Sequence, residues 1–386
     1  MCTYNAPYVH KKRYQEHTAK RLAAAELEPE TRSWQAFTRL RIRVHGAREH
    51  RERDRGWRAS FEEQIARANA VLKPALAIEL EVEDARDWDP KSSPDVLHPR
   101  LEELIAHDPG EDVDWVIGLV GSMPRASLDF RDLGEGSVLG KHIVLRDMND
   151  AEEQRVLGEV LDTLSDDERL RLYGERKRHK QTVVLLHEIG HTLSAIHVRD
   201  ATEIMHPSYD NRMQAFAEPN VVLMKRVLAF RRAPEAERDW AALYQGLTED
   251  VRGAGWDGWV EQERAEYVAK LEAAARAPQQ AGGAAPAPTA IASAASAQNT
   301  ATDAARAKET DVSALPEADR TAFAEARAQL DAGKLREARA VADRLADRYP
   351  DSYAVQHLAC TAAMRSGGAL KEMRKRCDRM AALARQ

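Results

Sequence analysis

The chain has 386 residues, enough for two or three domains, and 31% charged residues with a mean hydropathy of −0.57 are typical of a soluble protein. Its formal net charge of −6 and pI near 6.2 exclude the overall basic character of many nucleic-acid-binding proteins. A membrane-spanning helix needs about 18 consecutive apolar residues, and no stretch of the chain approaches that length, so no transmembrane segment is expected.

The N-terminal residues 1–35 are polar and helix-prone, and we predict an N-terminal arm or a short pro-segment there. They contain no apolar core of the signal-peptide kind, so a cytoplasmic location is the default expectation. The alternative is an exported protein, or one lipid-anchored at Cys2, whose upstream signal was removed. Cys360 and Cys377 can pair in an oxidising compartment, but buried free thiols are the favoured interpretation.

From residue 36 the chain alternates between strand-like and helix-like patterns. Residues 40–44 alternate apolar and charged side chains, which predicts a half-buried strand. Further strands are predicted at 76–82 and 114–120, and helices at 57–72 and 101–105. The succession of strand, helix, strand, helix and strand indicates an α/β sheet.

Two further stretches precede the middle of the chain. Residues 136–146 are predicted to form one or two strands. Residues 151–180 are strongly charged and predicted to be helical, and we interpret the basic run at 176–180 as a solvated surface because the whole chain is acidic. The apolar run at 183–186 predicts that the next helix is buried on most of its faces.

Two histidines near the middle of the chain have metal-ligand spacing. His187 and His191 are four residues apart, so on a helix they lie on the same face. Two imidazoles placed that way can hold one metal ion, and Glu188 beside them can reach a metal-bound water. On an unbroken helix His197 would lie roughly 15 Å beyond His187. If His197 is a third ligand, the helix must therefore end after His191 and the chain must turn back.

The segment reads HEIGHTLSAIH, and a methionine follows eight residues after its last histidine. This pattern resembles that of the metzincin clan of zinc peptidases, H-E-x-x-H-x-x-G-x-x-H followed by a Met-turn. The resemblance implies a bound zinc ion, a glutamate that acts as general base and a methionine beneath the metal. The residues in these roles are His187, His191 and His197 for zinc, Glu188 as base and Met205 in the Met-turn.

The resemblance also implies a fold and a local turn. Its fold is a twisted mixed sheet with an active-site helix, preceded by an edge strand beside which a substrate peptide lies antiparallel. The glycine of the pattern falls at Ser194, where the turn favours a positive φ. Tyr209 is a candidate for steadying an oxyanion, as a tyrosine does in some metzincins, but a place in the wall of the specificity pocket is favoured.

The rest of the chain divides into an extension, a linker and a C-terminal region. Residues 221–230 resemble the helix that closes the metzincin catalytic domain, and the helical pattern of 235–275 extends the predicted catalytic domain over 36–276. Residues 277–312 are rich in Ala, Pro, Gly, Gln, Ser and Thr, which predicts a flexible linker.

Residues 313–386 are predicted to form a separate all-α domain. Gly333, Ala338 and Pro350 fall where the tetratricopeptide repeat has its glycine, small alanine and terminal proline. A looser second unit follows from Ser352. A plain helical hairpin bundle is the alternative interpretation.

The expected function is a zinc-dependent endopeptidase that hydrolyses a polypeptide through zinc-activated water, while the repeats recruit protein partners. One alternative is an adaptor built on the repeats, with a metal-bound but inactive metzincin-like domain. Another is a gluzincin-type peptidase in which a downstream carboxylate such as Glu218 replaces His197. The presence of Glu188 favours the first hypothesis. No nucleic-acid partner is expected.

Overall fold

The computed structural model describes residues 6–25, 27, 37–93, 95–123, 125–276, 315–331, 334–365 and 379. The chain divides into two compact units, Met1–Ala295 and Ser296–Gln386. Within the described ranges, no helix is both long enough and apolar enough to cross a bilayer.

The first unit is built on a five-stranded mixed sheet in the order β2-β1-β3-β5-β4. The strands are β1 (Thr38–Ala47), β2 (Ile78–Trp88), β3 (Trp115–Val120), β4 (Gly134–Gly136) and β5 (His142–Arg146). All neighbours are parallel except β4 and β5, which pair antiparallel. The predicted α/β class and the mixed sheet are therefore confirmed.

The helices of this unit lie along the chain as α1 (Ala6–Leu22), α2 (Arg48–Arg53), α3 (Trp57–Leu76), α4 (Leu97–His107), α5 (Phe130–Leu133), α6 (Asp150–Val160), α7 (Asp166–Thr192), α8 (Glu218–Arg232), α9 (Trp240–Gly253) and α10 (Glu261–Arg276). Helices α3 and α7 contribute to one continuous core with the sheet, in which Trp57, Phe61 and Trp115 are almost fully buried. Burial of such large side chains is the main stabilising contribution in a core of this kind.

Strand β1 differs from its sequence pattern on one face. Leu40, Ile42 and Val44 are buried as expected, but Arg43 between them and His45 after them are only 6% and 1% exposed. Arg43 Nη1 and His45 Nε2 both bond to the carboxylate of Asp108 at the end of α4, which gives each buried side chain a charged partner. The apolar and charged alternation therefore reports the strand correctly but not the burial of its polar face.

Helix α7 carries the histidine motif at its C-terminal end. It begins at a capping box, in which Ser165 and Glu168 each bond to the other's backbone N–H. It then continues without a break to Thr192, so the charged helix and the motif helix expected from the sequence are one element. Its apolar residues at 183–186 are at most 2% exposed, as predicted.

The predicted N-terminal arm contains α1, which packs on the first unit. Gln15 donates to the carboxylate of Asp162 at 2.7 Å and accepts from the Thr163 N–H at 2.8 Å. The side-chain amide of Asn211 donates to the backbone oxygens of Arg21 and Ala23, at 3.0 and 2.6 Å. These bonds tie α1 and the residues after it to the domain.

The described part of the second unit is helical, with Glu317–Asp331, Leu335–Arg348 and Tyr353–Arg365 packed around a small core rich in alanine. Ala338 and Ala342 are fully buried in it. The described residues of this unit are all-α, as expected. The repeat assignment stays a prediction, and its Gly333 lies outside the described residues. The predicted linker at 277–312 also lies outside them. Cys360 is disulfide-bonded, so the free-thiol interpretation is wrong for this residue.

Candidate metal centre

The turn required by the motif follows directly after α7. The Ala195 N–H donates to Gly190 O at 2.9 Å and the Ser194 N–H to His191 O at 3.0 Å, which together form a Schellman motif. Ser194 lies in the left-handed region with φ 77°. The helix therefore ends where the spacing of the histidines requires, with serine in the conformation that usually selects glycine.

The turn brings His197 back to the two histidines of the helix. The Nε2 atoms of His187 and His191 lie 3.0 Å apart, those of His191 and His197 3.1 Å, and those of His187 and His197 3.2 Å. Among the described residues, these three form the group that can hold a metal ion. No carboxylate belongs to that group, and Glu218 is the exposed first residue of α8.

The outer nitrogen of each ring has an acceptor. His187 Nδ1 donates to Ile204 O at 2.8 Å, and His191 Nδ1 faces Ala195 O at 3.3 Å. His197 Nδ1 donates to the carboxylate of Glu263 at 2.6 Å. With the proton on Nδ1, each Nε2 directs a lone pair into the cluster.

Three lone pairs that converge at about 3 Å without a shared proton repel one another, and a cation removes that repulsion. Tetrahedral zinc bonds imidazole nitrogen at about 2.0–2.1 Å, which separates two ligand nitrogens by roughly 3.3 Å, close to the observed spacing. Burial, and then the neighbouring His191 and His197, lower the pKa of His187 well below its usual value. Burial lowers the pKa of His191 to about 3, so both rings are neutral, as metal binding requires. The donor set fits zinc.

Met205 packs against the end of α7 that carries two of the histidines, and its role as the methionine of a Met-turn stays a prediction. It is fully buried, and a Cβ on Gly190 would lie 2.4 Å from its Sδ. Gly190 separates the two helical histidines in sequence, so the thioether packs against the helix between them. The backbone of the same segment accepts from Val198 N–H and from His187, which fixes the loop under the site.

The side chain of Glu188 lies between its own helix, α7, and strand β4 at the edge of the sheet. Its carboxylate accepts a hydrogen bond from the Gly136 N–H. A Cβ on Gly134 would lie 2.7 Å from Glu188 Cγ, and one on Gly136 would lie 2.9 Å from Glu188 O, so glycine is required for this close approach. Burial, and then the charge of Glu135, raise the pKa of Glu188 well above its ordinary value.

The edge strand is a different strand from the expected one. Strand β5, the last strand before α7, is interior because it pairs with both β3 and β4. The sheet edge beside α7 is β4, and its short Gly-Glu-Gly sequence gave no strand signal of its own.

Tyr209 does not reach the histidine cluster. It is 6% exposed, and its hydroxyl lies 2.9 Å from His179 Nδ1. His179 Nε2 donates to Met213 O at 2.9 Å, so Nδ1 is the acceptor and the phenol donates to it. Tyr209 therefore lines a different, mainly apolar cavity beside Leu22, Leu157 and Tyr173, and its geometry does not support the oxyanion role.

Sequence reasoning missed several residues of the site. Gly134, Gly136 and Glu263 touch Glu188 or His197 from distant parts of the chain. Phe130 packs its ring 4.5 Å from that of His187. None of them belongs to a motif, and Glu263 is one acidic residue among 63, so only the three-dimensional contact identifies it.

The fold and the site together define an α/β protein with a buried three-histidine centre able to hold a metal ion, next to a buried carboxylate. No protein-family model matches the chain, and no curated protein matches it.

Solved structures with some similarity do exist. Archaemetzincin from Methanopyrus kandleri has 17% identity and a TM-score of 0.33, over 52% of this chain and 99% of that chain. Metalloproteinase-II from Bacteroides fragilis has 14% identity and a TM-score of 0.33, over 54% of this chain and 60% of that chain. A chaperone–substrate complex has 9% identity and a TM-score of 0.32, over 49% of this chain and 34% of that chain.

Proposed function

We propose that this chain is a zinc-dependent endopeptidase. The observation that carries the proposal is the convergence of three imidazole nitrogens within 3.0–3.2 Å of one another. Two of these histidines lie on α7, the helix that also contains Glu188, and His197 follows the turn after it. Three protein ligands are the number that a catalytic zinc site uses, because the fourth position is kept for water or substrate. His187, His191 and His197 are the residues that would hold the ion.

Zinc, when bound, supplies a Lewis acid that lowers the pKa of water to about 7 and polarises a substrate carbonyl. The chain supplies the proton transfer. Glu188 accepts the proton of the attacking water and returns it to the leaving amine, so one carboxylate serves both halves of peptide hydrolysis. The Gly136 N–H holds the carboxylate in place, and the space at Gly134 lets it lie against the sheet edge.

The geometry around Glu188 favours a peptide substrate. Strand β4 forms the edge of the described sheet and lies directly beside the proposed base. An edge strand offers backbone donors and acceptors to an extended chain, which can continue beyond it in both directions. An extended substrate paired along this edge is the reason that we propose cleavage of internal peptide bonds.

The adaptor hypothesis is less well supported. A metal-bound but inactive domain has no need of a carboxylate whose approach to the sheet demands glycine at two positions, Gly134 and Gly136. Recruitment of a protein partner by the helices of residues 313–386 is compatible with an active peptidase and stays a prediction.

The test is digestion of a peptide library by zinc-loaded wild type, Glu188→Gln and the control Glu175→Gln, which changes a carboxylate of the same helix that pairs with Arg171. We expect internal cleavage by wild type and control. Glu188→Gln should be slower by about 10²–10⁴-fold, the usual contribution of a general base, with its zinc content unchanged. Equal cleavage by a zinc-loaded Glu188→Gln protein would contradict the proposal.

A further inference from the structure

Helix α10 belongs to the extension after the histidine motif, yet it contacts the third histidine. The carboxylate of Glu263, in the first turn of α10, lies 2.6 Å from His197 Nδ1. The His197 side chain is 7% exposed and that of Glu263 is 24% exposed, so the pair is largely removed from water. A charge-assisted hydrogen bond in such surroundings is stronger than a neutral one.

The contact is built into the backbone on both sides of His197. The Val260 N–H donates to His197 O at 3.0 Å, and the Arg199 N–H donates to Gly258 O at 2.8 Å. Val198 and Trp259 thereby form an antiparallel bridge. The loop that precedes α10 therefore runs alongside the loop that carries the third histidine.

A buried asparagine fixes the same two segments. Asn220 accepts from the Ile196 N–H at 2.9 Å and donates to Ile196 O at 2.8 Å. Its side-chain oxygen also accepts from the indole N–H of Trp259, at 3.3 Å. The start of α10 is thus held in register with His197, so the Glu263 contact is not that of a mobile surface side chain.

Helix α10 makes a second contact with the turn. Tyr267 lies four residues after Glu263, on the same face of the helix, and its hydroxyl bonds to Ser194 Oγ. Ser194 is the residue in the left-handed conformation. One helix face therefore contacts both the turn that redirects the chain and the histidine that the turn delivers.

We infer that α10 is part of the metal centre and that Glu263 is a positioning residue for His197. The carboxylate fixes the proton on Nδ1, orients the ring and increases the basicity of Nε2. Of the three histidines, His197 is the one with a charged acceptor, since His187 and His191 face backbone oxygens. His197 also lies outside the helix, so it gains most from an external support. The inference rests on the metal binding that the proposed function requires.

The experiment measures zinc affinity by competition with a chromogenic chelator, so it does not depend on peptidase activity. Glu263→Gln keeps a hydrogen-bond acceptor but removes the charge, and Glu263→Ala removes both. The control is Glu261→Gln, since Glu261 is an exposed carboxylate in the same turn, paired with Arg264. We expect affinity to fall by about 10–100-fold in Glu263→Ala, less in Glu263→Gln, and by less than about twofold in the control.

A second measurement separates positioning from loss of fold. Cobalt replaces zinc, and its visible absorption reports the geometry of the ligand nitrogens. Glu263→Gln should change this spectrum while the circular dichroism of the metal-free protein stays that of wild type. Unchanged zinc affinity and cobalt spectrum in Glu263→Ala would overturn the inference and leave the proposed function intact if wild type binds zinc and cleaves peptides. A wild-type chain that binds no zinc would overturn both.

Discussion

Gly134 of the edge strand faces the side chain of Glu188, so closely that a Cβ on Gly134 would lie 2.7 Å from Glu188 Cγ and 2.8 Å from its Oε1. The backbone of Gly134 is extended, with φ −155° and ψ 162°, a conformation that any residue adopts. Glycine is thus required here for space and not for backbone freedom, and the space belongs to the proposed base.

Gly134→Ala should therefore displace the Glu188 carboxylate while the zinc ligands remain in place. We expect peptide turnover to fall by about 10–100-fold, since a displacement of about 1 Å at a reacting group has an effect of that size. Zinc content and melting temperature should stay near those of wild type, because a flexible side chain can move to make room.

The matched control for this substitution is Gly158→Ala in α6, where a Cβ meets nothing within 4 Å. It should leave turnover unchanged and stabilise the helix by roughly 0.5–1 kcal/mol. Full turnover in Gly134→Ala would show that Glu188 does not need its observed position.

The second prediction separates the third histidine from the carboxylate alternative. His197→Ala should weaken zinc binding by more than about 100-fold, since it removes a ligand and not only a neighbour of one. Glu218→Ala should leave affinity unchanged, because Glu218 is exposed at the start of α8, outside the histidine cluster. A zinc titration with the reverse order would restore the carboxylate hypothesis.

The third prediction concerns Ser194, for which the structure changes an expectation from the sequence. Glycine at Ser194 relieves roughly 1–2 kcal/mol of left-handed strain and adds about 0.5–1 kcal/mol of entropy cost, so the sequence predicts a neutral or slightly stabilising change. In the structure, Ser194 Oγ also bonds to the Tyr267 hydroxyl. Glycine removes this bond and leaves the buried Tyr267 hydroxyl without the Ser194 partner, which costs roughly 1–3 kcal/mol. Ser194→Gly should therefore destabilise the protein by about 1 kcal/mol.

A double-mutant cycle with Tyr267→Phe checks this account of Ser194. In the Tyr267→Phe background no hydroxyl is left to satisfy, so Ser194→Gly should become neutral or stabilising in thermal melts of the zinc-bound protein. Equal destabilisation in both backgrounds would mean that the Ser194–Tyr267 bond contributes nothing.

The sequence predicted local elements well and long-range partners poorly. The strand at β1 and the end of α7 follow from side-chain periodicity and histidine spacing, which are local properties. Lys180 was expected on a solvated surface, but it is 3% exposed. Its ammonium pairs with the Glu153 carboxylate at 2.6 Å, which compensates the buried charge. Glu263 was not identified because its role depends on α10 reaching His197 across 66 residues. Periodicity indicates which apolar residues are buried. A polar residue can be buried only when another element supplies its hydrogen-bond or charge partner, and periodicity does not show that partner.

The fourth prediction concerns acid stability through Asp108. Burial opposes its ionisation, but hydrogen bonds from His45, the Gly110 N–H and Arg43, with the charge of Arg43, outweigh that effect and lower its pKa to about 2. A carboxylate whose pKa is lower in the folded than in the unfolded chain stabilises the fold above the unfolded value of about 3.9. That contribution is lost as the pH falls through about 2.

Asp108→Asn should destabilise the protein by roughly 1–3 kcal/mol at pH 7, and its difference from wild type should shrink as the pH falls from about 4 to about 2. Urea unfolding at several pH values measures this, and metal release at low pH affects both proteins alike. Asp112→Asn is the control, since that carboxylate also pairs with Arg43 but is 61% exposed, and it should have little effect. A pH-independent difference between Asp108→Asn and wild type would contradict the assignment.

We propose that peptide hydrolysis by this chain depends on a zinc ion held by His187, His191 and His197. The most direct measurement is the zinc content and peptide-cleavage rate of the same preparation, before and after treatment with a strong chelator and after zinc is returned. We predict a stoichiometric amount of zinc, loss of cleavage when it is removed, and recovery when it is restored. A metal-free chain that cleaves peptides at the original rate, or a zinc-loaded chain that cleaves none, would show that this chain is not a zinc-dependent peptidase.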